Sequence, residues 1–122
     1  MSLFAWNVEV LRVFNDLLHD LYFTIPQPGF VARDNRVEVE LWDRDHVIDK
    51  EQIYRFKLTV HNIVDLRNVG RLEDLPGYEA ELNELRFEAS KGELSFVCVH
   101  RYQLCCVVQG LKVELDQISA TE

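Results

Sequence analysis

Arg36-Val37-Glu38-Val39-Glu40-Leu41-Trp42 alternates without a break: Val37, Val39 and Leu41 fall on one side, Arg36, Glu38 and Glu40 on the other. A period of two is that of a β-strand with one face buried and the other in water. Asp34-Asn35 just before it is a turn pair, because short polar side chains tolerate a left-handed backbone and bond locally. Polar-out alternation belongs to antiparallel sheets, since parallel strands covered on both faces lack it.

The same rhythm extends downstream. Tyr54 to His61 puts Phe56, Leu58 and Val60 inward and Arg55, Lys57 and Thr59 outward. Leu82 to Ala89 carries Leu85, Phe87 and Ala89 on one side, and Lys91-Gly92 separates it from Glu93 to Val99, where Leu94, Phe96 and Cys98 alternate with Ser95 and Val97. Leu104 to Val108 is apolar on both faces, which predicts a central, covered strand. Gly110 breaks it, and Leu111, Val113 and Leu115 then alternate with Lys112, Glu114 and Asp116.

Upstream the period changes. Trp6, Val10, Val13, Phe14, Leu17, Leu18 and Leu21 recur at three and four residues, which predicts a helix over about residues 4–15 despite the β-branched Val8, Val10 and Val13. Leu17 to Ile25 reads as a strand that stops at Pro26-Gln27-Pro28-Gly29. Residues 62–81 read as the longest irregular stretch, with a turn at Pro76-Gly77. The expected fold is α+β, mainly β: a curved antiparallel sheet or small sandwich of six to seven strands, with the N-terminal helix packed on it. Trp6 and Trp42 are expected as core anchors, as large apolar rings usually are.

The 122 residues make a single domain, residues 1–122, without repeat or linker. No apolar run approaches the ~18 residues of a spanning helix, so no membrane partner is expected. Met1 to Trp6 lacks the features of a secretory signal, and three cysteines do not read as a disulfide framework; a cytoplasmic setting is expected. The net charge of −8 argues against nucleic acid as a partner, because such binding neutralises phosphates with cations. The imbalance is concentrated: residues 73–93 hold seven acidic groups against Arg86 and Lys91. A solvated face that keeps the chain soluble is the plain reading of that cluster. The sharper one is an anionic patch formed by Glu73, Asp74, Glu79, Glu81 and Glu84 that steers a basic protein partner.

Three groups of residues invite chemistry. Asp43, Asp45, Asp49 and Glu51 have part of a calcium-loop spacing, but Ile48 stands where a Gly is needed and Tyr54 where a bidentate Glu is needed. Cys98, His100, Cys105 and Cys106 are the best metal candidates, yet no C-x-x-C is present, and adjacent Cys105 and Cys106 face opposite ways in a strand. His19-Asp20 suggests acid–base work, but neighbours in a strand cannot easily form one dyad, so a partner would have to come from His46, His61 or His100. No glycine-rich phosphate loop, G-x-S-x-G or H-E-x-x-H occurs, and no cofactor is expected.

Leu18-His19-Asp20 opening a strand, the run from Phe56 to Leu66 (Phe-Lys-Leu-Thr-Val-His-Asn-Ile-Val-Asp-Leu) and the closing Leu111-Lys112-Val113-Glu114-Leu115 together resemble a group of small bacterial β-rich proteins. That group includes immunity proteins of polymorphic toxin systems. The resemblance covers roughly residues 17–115; it implies toxin binding in the cytoplasm without catalysis, and assigns no individual binding residue. Three functions are therefore expected in descending order. The first is an acidic, non-catalytic protein-binding domain, an immunity-type inhibitor of a basic toxin. The second is a metal- or ligand-binding protein or enzyme using His19 or the Cys98/His100/Cys105 region. The third is an oligomeric module, a homodimer, pairing through edge strands near Trp42 and Tyr54.

Overall fold

A computed structural model describes residues 2–27, 29–43, 55–70, 79–99 and 102–118. These form one helix and nine strands: β1 (Ser2–Ala5), α1 (Val8–Leu18), β2 (Tyr22–Thr24), β3 (Val37–Trp42), β4 (Arg55–Val60), β5 (Ile63–Gly70), β6 (Glu79–Glu88), β7 (Glu93–Cys98), β8 (Tyr102–Val108) and β9 (Val113–Ile118). The strands make a single antiparallel sheet in the order β1-β9-β4-β3-β2-β6-β7-β8-β5. The mainly-β antiparallel expectation holds, but the strands number nine rather than six to seven. The two additions are β1, which overlaps the start of the expected helix, and β5, inside the expected irregular stretch. Two boundaries also move: the helix runs to Leu18, and the expected strand over 17–25 shrinks to Tyr22–Thr24.

The sheet cannot lie flat. In strand order β4 and β5 are six places apart, which is ~29 Å in a flat sheet. Yet only His61 and Asn62 separate them, and three Cα steps reach at most ~11 Å. The sheet therefore folds over until its far edge meets β4. The β8-to-β9 link turns the same corner beside it: His61 N–H donates to Lys112 C=O (2.9 Å) and Gln109 N–H to Asn62 C=O (2.9 Å). Asn62 takes the left-handed backbone this corner needs (φ 60°), and its side-chain amide donates to Gly110 C=O (3.3 Å). A register shift between Ile63 and Asp65 accompanies the bend, as bulges do where strands change layer.

The inner faces close on one core that includes Val39, Leu58, Val60 and Leu115 from one half and Leu82, Leu94, Phe96 and Leu104 from the other. Phe23 of β2 sits between them, its ring centre 5.9 Å from that of Phe30 and 6.3 Å from those of Phe96 and Tyr102. The hairpin before β3 is a two-residue turn, with Asp34 and Asn35 at φ 53° and 60° and Arg33 and Arg36 exchanging both backbone bonds. Positive φ at both central residues is what the twist of such a hairpin requires.

Helix α1 starts at Asn7, whose side chain accepts from Val10 N–H (2.9 Å). It buries Leu11, Phe14 and Leu18 and leaves Val13 and Leu17 exposed. The helix also closes an edge. β6 outruns the three-residue β2, so its backbone needs other partners: Asn15 accepts from Leu85 N–H (2.6 Å) and donates to Leu85 C=O (3.0 Å), an amide standing in for a strand residue. Trp6 is not a core anchor; it is 61% exposed and stacks on Phe4 at 5.3 Å. Among the described residues no helix is long and apolar enough to cross a membrane.

Candidate functional site

The outer face of the β3-β2-β6 region is set by what lies beneath it. Val39 and Leu41 point inward, so Glu38, Glu40 and Trp42 point outward; Phe23 is buried, so Tyr22 and Thr24 are outward; Ala80 and Leu82 are buried, so Glu79 and Glu81 are outward. Tyr22 lies opposite Trp42 on one side and Glu81 on the other, and Thr24 lies opposite Glu79. A register shift between Leu82 and Glu84 puts Glu84 on the same face, opposite Val97. Five carboxylates thus surround an aromatic pair. Thr24, Pro26, Glu40 and Trp42 line a shallow hollow of about 340 Å³ within this face. Two cations border it on β4: Lys57 opposite Glu40, and Arg55 opposite Trp42. Glu84 is engaged by Arg86.

Of the anionic patch read from the sequence, Glu79, Glu81 and Glu84 share this strand and face, while Glu73 and Asp74 lie outside the described residues. Glu38, Glu40, Trp42 and Tyr22 are the additions. The alternation of residues 36–42 already gave the first two their outward direction, but β3 and β6 are 36 residues apart in sequence and only β2 between them brings them together.

The cysteine region divides between the two sides of the sheet. Phe96 and Leu104 pair across β7 and β8 as core residues, so Cys98 and Cys106 point inward with them, while Cys105 points outward opposite Ser95. Burial pushes the Cys98 thiol up to about 12, and burial first, then the neighbouring Cys105 and Glu93, pushes Cys106 up to about 12. Both are neutral thiols at physiological pH, neither the nucleophilic nor the metal-binding form. Cys105 is buried although it faces outward (4% exposed), because Arg67 of β5 reaches over β8 to Glu93 of β7 (3.0 Å). His100 lies outside the described residues. Among the described residues no three or more His, Cys, Asp and Glu side chains converge as a metal site.

His19 and Asp20 correct an expectation of geometry. They lie in the turn after α1 and not in a strand, Asp20 has φ 69°, and His19 Nδ1 stands 3.0 Å from Asp20 Oδ2. The dyad forms, but both side chains are more than half exposed, which leaves the pair in water. His61 belongs to the corner instead, with its Nε2 3.0 Å from Glu114 Oε1. Of the calcium-like run only Asp43 is described, and His46 also falls outside. Trp42, offered as the end of an edge strand, lies on β3, which is paired on both sides; Tyr54 is not among the described residues.

Comparison with protein-family models, with curated proteins and with solved structures finds no match to the chain.

Proposed function

We propose that this chain is a non-catalytic protein-binding domain whose acidic β3-β2-β6 face recognises a basic protein, in the manner of an immunity-type inhibitor of a basic toxin. One observation carries the reading: Glu38, Glu40, Glu79, Glu81 and Glu84 share one face around Tyr22 and Trp42. Carboxylates on a rigid sheet raise the encounter rate of a cationic surface. Partly exposed aromatic rings supply contact area at little cost in side-chain freedom, which is where interface energy concentrates. The hollow beside Trp42 suits a long cationic side chain, whose stem lies on the ring while its head meets Glu40. The resemblance to immunity proteins supports the same partner class.

The test uses the purified chain as bait in a lysate of its own cells, at low and high salt, beside the double variant Glu40→Lys/Glu81→Lys. The reading expects a basic protein retained at low salt by the native chain and lost from the variant. Equal retention by both baits, or no basic protein at low salt, overturns it.

A further inference from the structure

We propose that the hollow beside the hairpin before β3 binds a zwitterionic α-amino acid with an apolar side chain, its carboxylate held by Arg33 and Arg36 and its ammonium by Asp34 and Glu38. Val31, Arg33, Asp34, Arg36, Val37 and Glu38 line this hollow, which has a volume of about 360 Å³. The lining thus holds two cations, two anions and two valines, and its charges sum to zero.

The hairpin itself brings the two cations together. Arg33 and Arg36 are partners across the two-residue turn and exchange both backbone bonds (2.9 and 3.1 Å), which sets their side chains on one side of the ribbon. Like charges placed directly opposite each other cost stability. Among the described residues neither guanidinium has a carboxylate within ion-pair distance, although Asp34 and Glu38 border the same hollow. The side chains of Asp34 and Glu38 likewise make no hydrogen bond or ion pair among the described residues. Four charges around one hollow that do not satisfy one another leave both signs to a ligand.

Spacing selects the class of ligand. Val37 is buried, so Arg36 and Glu38 both point outward, and two residues of extended chain set them ~6.7 Å apart. In an α-amino acid the ammonium nitrogen and the carboxylate carbon are ~2.5 Å apart, and a charge-assisted hydrogen bond at each end extends the reach to about 8 Å. One zwitterion therefore bridges a guanidinium and a carboxylate two residues apart. A simple anion would meet Asp34 and Glu38 as well as the arginines, and a simple cation would meet the arginines as well as the carboxylates; each is repelled as much as it is drawn. Two guanidinium forks suit a planar carboxylate. Val31, 65% exposed, offers an apolar surface that the side chain of the ligand covers.

This site goes beyond the recognition reading. It needs Arg33 and Arg36, which the acidic face does not use, so either can fail while the other stands. The test follows the backbone amide resonances of the full chain during titration with L-leucine, with N-acetyl-L-leucine, which lacks the ammonium, and with L-leucinamide, which lacks the carboxylate. Leucine should give saturable shifts centred on residues 31–38 and bind roughly tenfold tighter than either analogue. Arg36→Gln should weaken leucine roughly tenfold without weakening leucinamide, and Glu38→Gln should weaken leucine to a similar degree without weakening N-acetyl-leucine. Both positions are exposed, so the variants keep the fold, and a merely structural defect would not give this crossed pattern. The proposal is overturned by the absence of saturable shifts with leucine up to roughly 20 mM, by an analogue that binds as tightly as leucine, or by a leucine affinity indifferent to Arg36→Gln.

Discussion

Asn68 shows how a polar residue comes to occupy an inward position of a strand. Its side chain accepts from Phe30 N–H (2.8 Å) and from the Tyr102 hydroxyl, and donates to Phe30 C=O (2.9 Å). Gly29 makes room for it: φ there is 142°, and a Cβ would lie 2.8 Å from Asn68 Cγ. Asn68→Ala strands three partners at once, and chemical denaturation should show a loss of about 1–3 kcal/mol. Gly29→Ala should destabilise too, from backbone strain and from the clash. The thiols make a second residue-scale prediction. Cys98 and Cys106 hold their protons up to about 12 in the fold, against a reference of 9.0 for an exposed thiol. The native state therefore binds more protons than the unfolded chain once the pH passes 9.0. These thiols leave stability unchanged below that point and lower it as the pH climbs toward 12. Denaturation under reducing conditions should lose on the order of 1 kcal/mol per thiol by about pH 10, and Cys106→Ala should remove its share of the slope.

At the scale of elements, the corner at Asn62 decides the architecture. Asn62→Ala keeps a Cβ at φ 60° and loses the bond to Gly110 C=O; thermal or urea unfolding should register about 1–2 kcal/mol, most of it recovered in Asn62→Gly. The strands around this corner were legible in the sequence to the degree that their alternation is unbroken. Residues 37–42 bury every other side chain, and residues 55–60 and 93–98 carry a similar apolar alternation although Thr59 and Ser95 of the opposite face are buried as well; all three form strands within a residue of the expected limits. β5 was hidden because Val64 is an extra residue at the register shift and Asn68 is polar yet inward, so apolar spacing does not betray the strand. β1 was hidden because Leu3 and Trp6 continue the three-and-four spacing of the helix behind them, although Asn7 is the residue that caps it. Val13 and Leu17 fit the apolar helical face equally well and are exposed, since the helix meets β6 along a stripe centred on Leu11, Phe14 and Leu18.

At the scale of the molecule, a curled sheet buries its inner face and turns its outer face, with its charge, to the solvent. The outward direction of Glu79, Glu81 and Glu84 depends on a register shift that no periodicity reveals, and their meeting with Glu38 and Glu40 depends on the three residues of β2. The acidic half of the site was therefore legible as composition, and its aromatic half only as geometry. A recognition face of this kind should act on encounter more than on residence. The most direct measurement is the association rate of the captured basic partner with the immobilised chain, followed from low to high ionic strength for the native protein and for Glu40→Lys/Glu81→Lys. The account predicts a native rate that falls steeply with salt while dissociation changes little, and a variant whose association is slower at low salt and nearly independent of it. An association rate that is flat in salt, or equal in the two proteins, would contradict it.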